Sequence, residues 1–158
     1  MPPFNHLHPA VVHVPIVLLA VAPALFLLGG LWPAQRRGIH AVALGLLLLG
    51  LLGGLAALAT GEAAESFARR SPELRAALAQ HQAAAQWAVA IPGVLAAAWL
   101  LQLGASRLLR RTLPPGLGRP LFILWLLIGA VGVAAVLRTG HLGGRMVHEL
   151  HTHGGEAS

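Results

Sequence analysis

The run His40–Thr60, HAVALGLLLLGLLGGLAALAT, contains no charged side chain over twenty-one residues. As a helix rising about 1.5 Å per residue, it spans roughly 30 Å, the hydrocarbon thickness of a bilayer. Lipid offers no partner to an unpaired backbone amide, so such a segment crosses as a helix. Three further runs of the same kind flank it, at Val11–Trp32, Ala83–Ala105 and Pro120–Leu137. The sequence therefore predicts an all-α polytopic membrane protein, a four-helix transmembrane bundle of up-down-up-down topology. Residues 1–150 form its one domain and residues 151–158 a polar tail. The composition agrees: of 158 residues 56% are apolar and only 10% charged, far outside the range of soluble domains. No basic residue precedes the first run and no small-residue cleavage site follows it, so it is expected to stay in the mature protein.

Orientation is read from the arginines. The net charge of +6 comes wholly from Arg, and its placement in short connections marks topology rather than nucleic-acid binding. Arg36 and Arg37 follow the first run; Arg107, Arg110, Arg111 and Arg119 follow the third, with no acid in either connection. On the opposite side Arg69, Arg70, Arg75, Arg138 and Arg145 are balanced by Glu62, Glu65, Glu73, Glu149 and Glu156. The positive-inside rule then puts both termini on the periplasmic face of a bacterial inner membrane. Between the second and third runs, Ser71-Pro72-Glu73 has the chemistry of an N-cap, a first-turn proline and an early acid, and predicts a helix start. Pro92 predicts a kink within the third span. The Gly50/Gly54 and Gly140/Gly144 pairs have the spacing that lets membrane helices approach closely.

The chemistry left open is narrow. Without Cys there are no disulfides, thiolate metal sites, iron–sulfur clusters or covalently attached haem. Tyr and Asp are also absent, and every Glu lies outside the four runs, so no carboxylate relay crosses the membrane. No Ser–His–Asp set and no phosphate-binding glycine loop is present, and any catalysis would come from a prosthetic group.

Histidine is the one ligating side chain in quantity. Of nine, His6, His8, His13, His81, His141, His148, His151 and His153 fall on the side of the termini, and His40 alone on the other. His6, His151 and His153 read as solvated interfacial residues, and His40 as an ordinary one. His13, His81 and His148 come from three separate helices, and the sequence places them at about one depth. A bundle that converges such groups makes a cofactor or metal site.

The stretch His8-Pro9-Ala10-Val11-Val12-His13-Val14-Pro15 resembles the HPxxVHFP signature of a bacterial membrane family, the domain of unknown function DUF2231, with Val14 in place of the usual Phe. Ala59-Thr60-Gly61 is similar to that family's A-T-G element, and His81 to the histidine opening its third span. Thr139-Gly140-His141-Leu142-Gly143-Gly144 with Val147-His148 resembles its closing segment. The tail beyond His148 departs from the family's ending. Members fused to cytochrome c modules imply a role in membrane electron transfer.

Three functions are open on these grounds. The first is a haem b-binding cytochrome, or electron-transfer subunit of a respiratory complex, with its site near the periplasm. Haem iron in a bundle needs two neutral imidazoles from facing helices. His13 and His81, on the diagonal first and third helices, would supply them. His148, with His141 or His8, would give an alternative ligand or a propionate hydrogen bond, and Arg138 and Arg145 would pair with propionates. A soluble cytochrome c would exchange electrons there. The second is a porphyrin-free Zn, Cu or Ni site at His13, His81 and His148, to which the HLHP and HELHTH tracts would add loose ligands. The third is a structural subunit, with histidines at an interface with lipid, a second copy or a larger complex.

Overall fold

The computed structural model describes residues 8–68, 72–108 and 116–148, with side chains over 12–61, 72–108 and 116–146. Four helices form: α1 (His8–Leu31), α2 (Arg36–Ala68), α3 (Pro72–Leu108) and α4 (Gly118–His148). All four are long and apolar enough to cross a membrane. α1 packs on α2 and α4, and α3 packs on α4 and α2, so α1 stands diagonally opposite α3. The bundle thus has a terminal end, where α1 begins and α4 finishes, and an arginine end carrying Arg36, Arg37 and Arg107.

The helix limits have local causes. α1 stops at Leu31 because Trp32 precedes Pro33 and is pushed out of the helical region, to φ −119° and ψ 77°. A single 3-10 turn, Pro33–Gln35, then reverses the chain into α2. α3 starts at Pro72 with Glu73 in its first turn, as the sequence predicts; Ser71, the expected cap, lies outside the described residues. Gly116 takes φ +99° ahead of α4, a conformation that favours a residue without Cβ. The helices overrun the apolar segments at the terminal end. His8 belongs to α1 rather than preceding it, and α4 continues through Arg138 and Arg145 to His148.

The chain buries little of itself. No more than 28% of any span is buried within the bundle, and large apolar side chains such as Leu101 (72% exposed), Val94 (65%) and Trp87 (63%) face outward. On a protein in water that surface would aggregate; in lipid it is the solvated surface. The core is made of Leu19, Ala22, Leu47, Ala88, Leu95, Ala96 and Val136. It is rich in alanine because lipid gives no hydrophobic reward for helix contact, and close backbone approach has to supply dispersion instead.

Prolines inside helices are accommodated by glycines opposite. A Cβ at Gly53 would lie 3.3 Å from Pro15, one at Gly129 3.0 Å from Pro23, and one at Gly132 3.5 Å from Pro92. A proline ring projects from a helix where it removes an amide donor, and a facing glycine leaves room for it. These contacts tie α1 to α2 and α4, and α3 to α4. They also fix how far each helix is advanced along the bundle.

Candidate functional site

Levels along the bundle follow from the packed pairs. Pro15 meets Gly53, Val89 meets Gly54, Pro92 meets Gly132 and His81 meets Gly143. The last two pairs are mutually consistent, since eleven residues separate Pro92 from His81 and Gly132 from Gly143. At about 1.5 Å per residue, His81 stands roughly 12 Å above Val89 toward the terminal end. His13 stands only about 3 Å above Pro15. The two histidines differ in depth by about 10 Å through the Gly53 and Gly54 contacts, and by about 6 Å through the Pro23–Gly129 pair. His148 ends α4 about 7.5 Å beyond Gly143. By this register the backbones of His13, His81 and His148 stand at different depths, which topology alone does not set.

A different set shares a level. His8, five residues before His13, comes within about 3 Å of the depth of His81. Thr60 on α2, and Thr139 through His141 to Gly143 on α4, fall within about 6 Å of the same level. Part of each of the four motifs quoted from the sequence thus falls, one per helix, near one level toward the terminal end.

Facing separates the histidines further. In α1 the buried residues Pro15, Leu19, Ala22 and Phe26 mark one stripe. His13 lies roughly 160° around the helix from Pro15, at 100° per residue, and its side chain is exposed. His8 lies within roughly 20° of Pro15 in register; its side chain, like that of His148, falls outside the described set. The seven-residue spacing from His8 to Pro15 was the signal in the sequence for this assignment. In α3, His81 continues the buried stripe Ala84, Ala88, Pro92 and Leu95. Its ring is half-buried and its Nδ1 is enclosed. A Cβ at Gly143 would stand 3.2 Å from Cε1 and 3.6 Å from Nδ1, so the ring occupies the space a side chain there would need.

The threonines of the layer are bonded to their own helices. Thr60 Oγ1 donates to the carbonyls of Ala56 (3.0 Å) and Ala57 (3.1 Å), and Thr139 Oγ1 donates to Ala135 (2.9 Å). Each hydroxyl proton is thereby committed to its own helix. Arg138, His141 and Arg145 are exposed along another face of α4. They share a stripe at intervals of three and four residues, turned away from the Gly143 side. Among the described residues, no group of three His, Cys, Asp or Glu side chains comes together.

The arginine end holds a second histidine environment that sequence reasoning passed over. His40 Nε2 donates to the Phe26 carbonyl at 3.1 Å. Its ring stacks on Phe26 with centroids 4.5 Å apart and meets Trp99 edge-on at 5.8 Å. Phe26 also stacks on Phe122 at 5.2 Å and meets Trp99 edge-on at 4.8 Å. Gly29 lies against the His40 ring and Gly30 against Phe122. All four helices enter this cluster, and its geometry is that of a packing clamp.

The fold defines a small four-helix membrane protein, with His81 packed against Gly143 toward the terminal end of the bundle. The family model described as a predicted membrane protein (DUF2231) matches residues 5–155, and the chain belongs to that family. No curated protein and no solved structure matches it.

Proposed function

We propose that the protein is a membrane electron-transfer protein that holds haem b at the terminal end of its bundle. The observation that carries the reading is the seat of His81 on Gly143, in the layer shared with His8 and Thr60. A half-buried imidazole seated against Gly143 near the terminal end suits a haem ligand. His8 would be the second candidate to hold the haem, its backbone lying on the diagonal helix at nearly the same depth. It replaces His13, whose side chain faces outward.

Haem supplies one-electron chemistry when bound; the chain's residues position it and limit its access to water. Arg138 and Arg145, exposed on the face of α4 turned away from Gly143, suit the acidic face of a redox partner. With the orientation read from the arginines, this end faces the periplasm of the inner membrane, where a soluble cytochrome c or a respiratory complex would exchange electrons. A porphyrin-free Zn, Cu or Ni site needs three or four ligands; haem needs two, which the layer can supply.

Reduced-minus-oxidised optical spectra of the purified protein, expressed with ample haem, test the reading. Sharp alpha and Soret bands are expected, abolished by His81→Ala, lost or shifted by His8→Ala, and retained in His13→Ala. A colourless preparation overturns the haem assignment. Stoichiometric Zn, Cu or Ni in that preparation would put a metal site in its place.

A further inference from the structure

Two exposed histidines, His13 of α1 and His141 of α4, point away from the core that seats His81. The α1–α4 register relates them directly. Pro23 packs at Gly129 and Phe122 at Gly30, seven residues apart on each helix, so both contacts give one alignment of the antiparallel pair. Ten residues back from Pro23, His13 falls opposite Thr139. His141 lies two residues, about 3 Å, farther toward the terminal end. Their bearings agree as well. Around α1, Pro15 facing α2, Pro23 facing α4, and His13 follow in steps of roughly 80°, at 100° per residue. Around α4, Gly132 faces α3, Gly129 faces α1 roughly 60° on, and His141 follows about 120° beyond. Because the helices run antiparallel, these two rotations are opposite in sense, and both imidazoles leave the same outer face of the α1–α4 pair.

We propose that His13 and His141 form a half-site for zinc(II), completed by a second copy of the chain. A closed zinc site takes four ligands in a tetrahedron, and among the described residues no group of three ligating side chains comes together within one chain. A two-fold axis along the bilayer normal keeps both copies in one orientation across the membrane, and it sets α1 of each against α4 of the other. The two His13 then occupy one diagonal of the interface and the two His141 the other, about 3 Å higher, at helix spacings of about 8–10 Å. Two crossed pairs at staggered heights mark the corners of a tetrahedron. That geometry suits zinc, and not the planar preference of copper(II) or nickel(II). Exposed Ala24, Ala130 and Ala134 lie on the same face deeper in the membrane and let the helices of the two copies approach closely. Arg138 and Arg145 stand roughly 40–60° farther round α4, on the flank. Neither His13 nor His141 is a ligand in the haem reading, and the proposal is independent of it.

The full chain in detergent, stripped with chelator and titrated with zinc chloride alone, tests it by metal analysis and light scattering. One zinc per two chains is expected, with a shift from monomer to dimer at that ratio. His13→Ala and His141→Ala each remove two of the four ligands. Each should weaken zinc binding by at least about 100-fold, more than the loss of a hydrogen-bonding neighbour of a ligand costs. His81→Ala should leave the ratio unchanged. Ala130→Trp keeps all four imidazoles but should block the zinc-linked dimer. Zinc held by a monomer at one per chain overturns the proposal. Undiminished binding by His13→Ala with His141→Ala does so too, since it assigns the metal to other histidines, as does a dimer indifferent to zinc.

Discussion

Gly143 and Gly140 lie within one short motif, yet the bundle treats them in opposite ways, and substituting each with valine separates the two. At Gly140 an added Cβ meets nothing within 4 Å. Gly140→Val then gains a few tenths of a kcal/mol from helix propensity, since glycine is the poorer helix former. At Gly143 the Cβ alone would stand 3.2 Å from His81 Cε1, and the branched methyls extend further into the ring. Overpacking of this kind costs about 1–3 kcal/mol, against the same small propensity gain. Gly143→Val should therefore be destabilised by about 1–2 kcal/mol, and the two variants should differ by about 2 kcal/mol, in opposite directions. Equilibrium unfolding in bicelles, by steric trapping or by titration with a denaturing detergent, measures the difference directly. Modification of His81 by an acylating reagent should accelerate in Gly143→Val alone. If the two variants unfold within about 0.5 kcal/mol of one another, less than a lost contact normally costs, the seat of His81 on Gly143 is refuted, and the haem reading loses its main support.

Phe26→Ala should cost about 2–3 kcal/mol: it leaves a cavity of roughly 100 Å³ at about 24 cal/mol per Å³, with little transfer term because the surroundings are lipid. A loss under about 1 kcal/mol in the same unfolding assay would show that the clamp with His40, Trp99 and Phe122 contributes no packing. His40→Phe should keep most of that packing but lose the hydrogen bond to the Phe26 carbonyl, at about 1 kcal/mol; a variant more stable than wild type contradicts the bond's contribution. Reporter fusions at Arg110 and at the C-terminus should report opposite compartments, cytoplasm and periplasm respectively. Identical activity from both would defeat the orientation read from the arginines.

The sequence by itself determined the number of spans, their helical state, and which residues share a side of the membrane. Each of these follows from counting: about twenty apolar residues per crossing, an absolute need to pair backbone amides in lipid, and the parity of crossings between two histidines. The seats of glycine were legible only as spacing, since a Gly50/Gly54 pair permits close approach without saying what approaches. Tertiary packing decided that Leu19 fills the space at Gly50, that Val89 fills it at Gly54, and that His81 fills it at Gly143. It also decided depth, because each helix can slide against its neighbour without changing its own apolar pattern. The interlocking of Pro15, Pro23 and Pro92 with facing glycines opposes that sliding, together with the side chains seated at Gly50, Gly54 and Gly143. That register sets His13 about 6–10 Å below His81 and brings the level of His8 close to it. A pattern of apolar residues has no marker along the helix axis, so the distance between two imidazoles is a property of the assembled bundle.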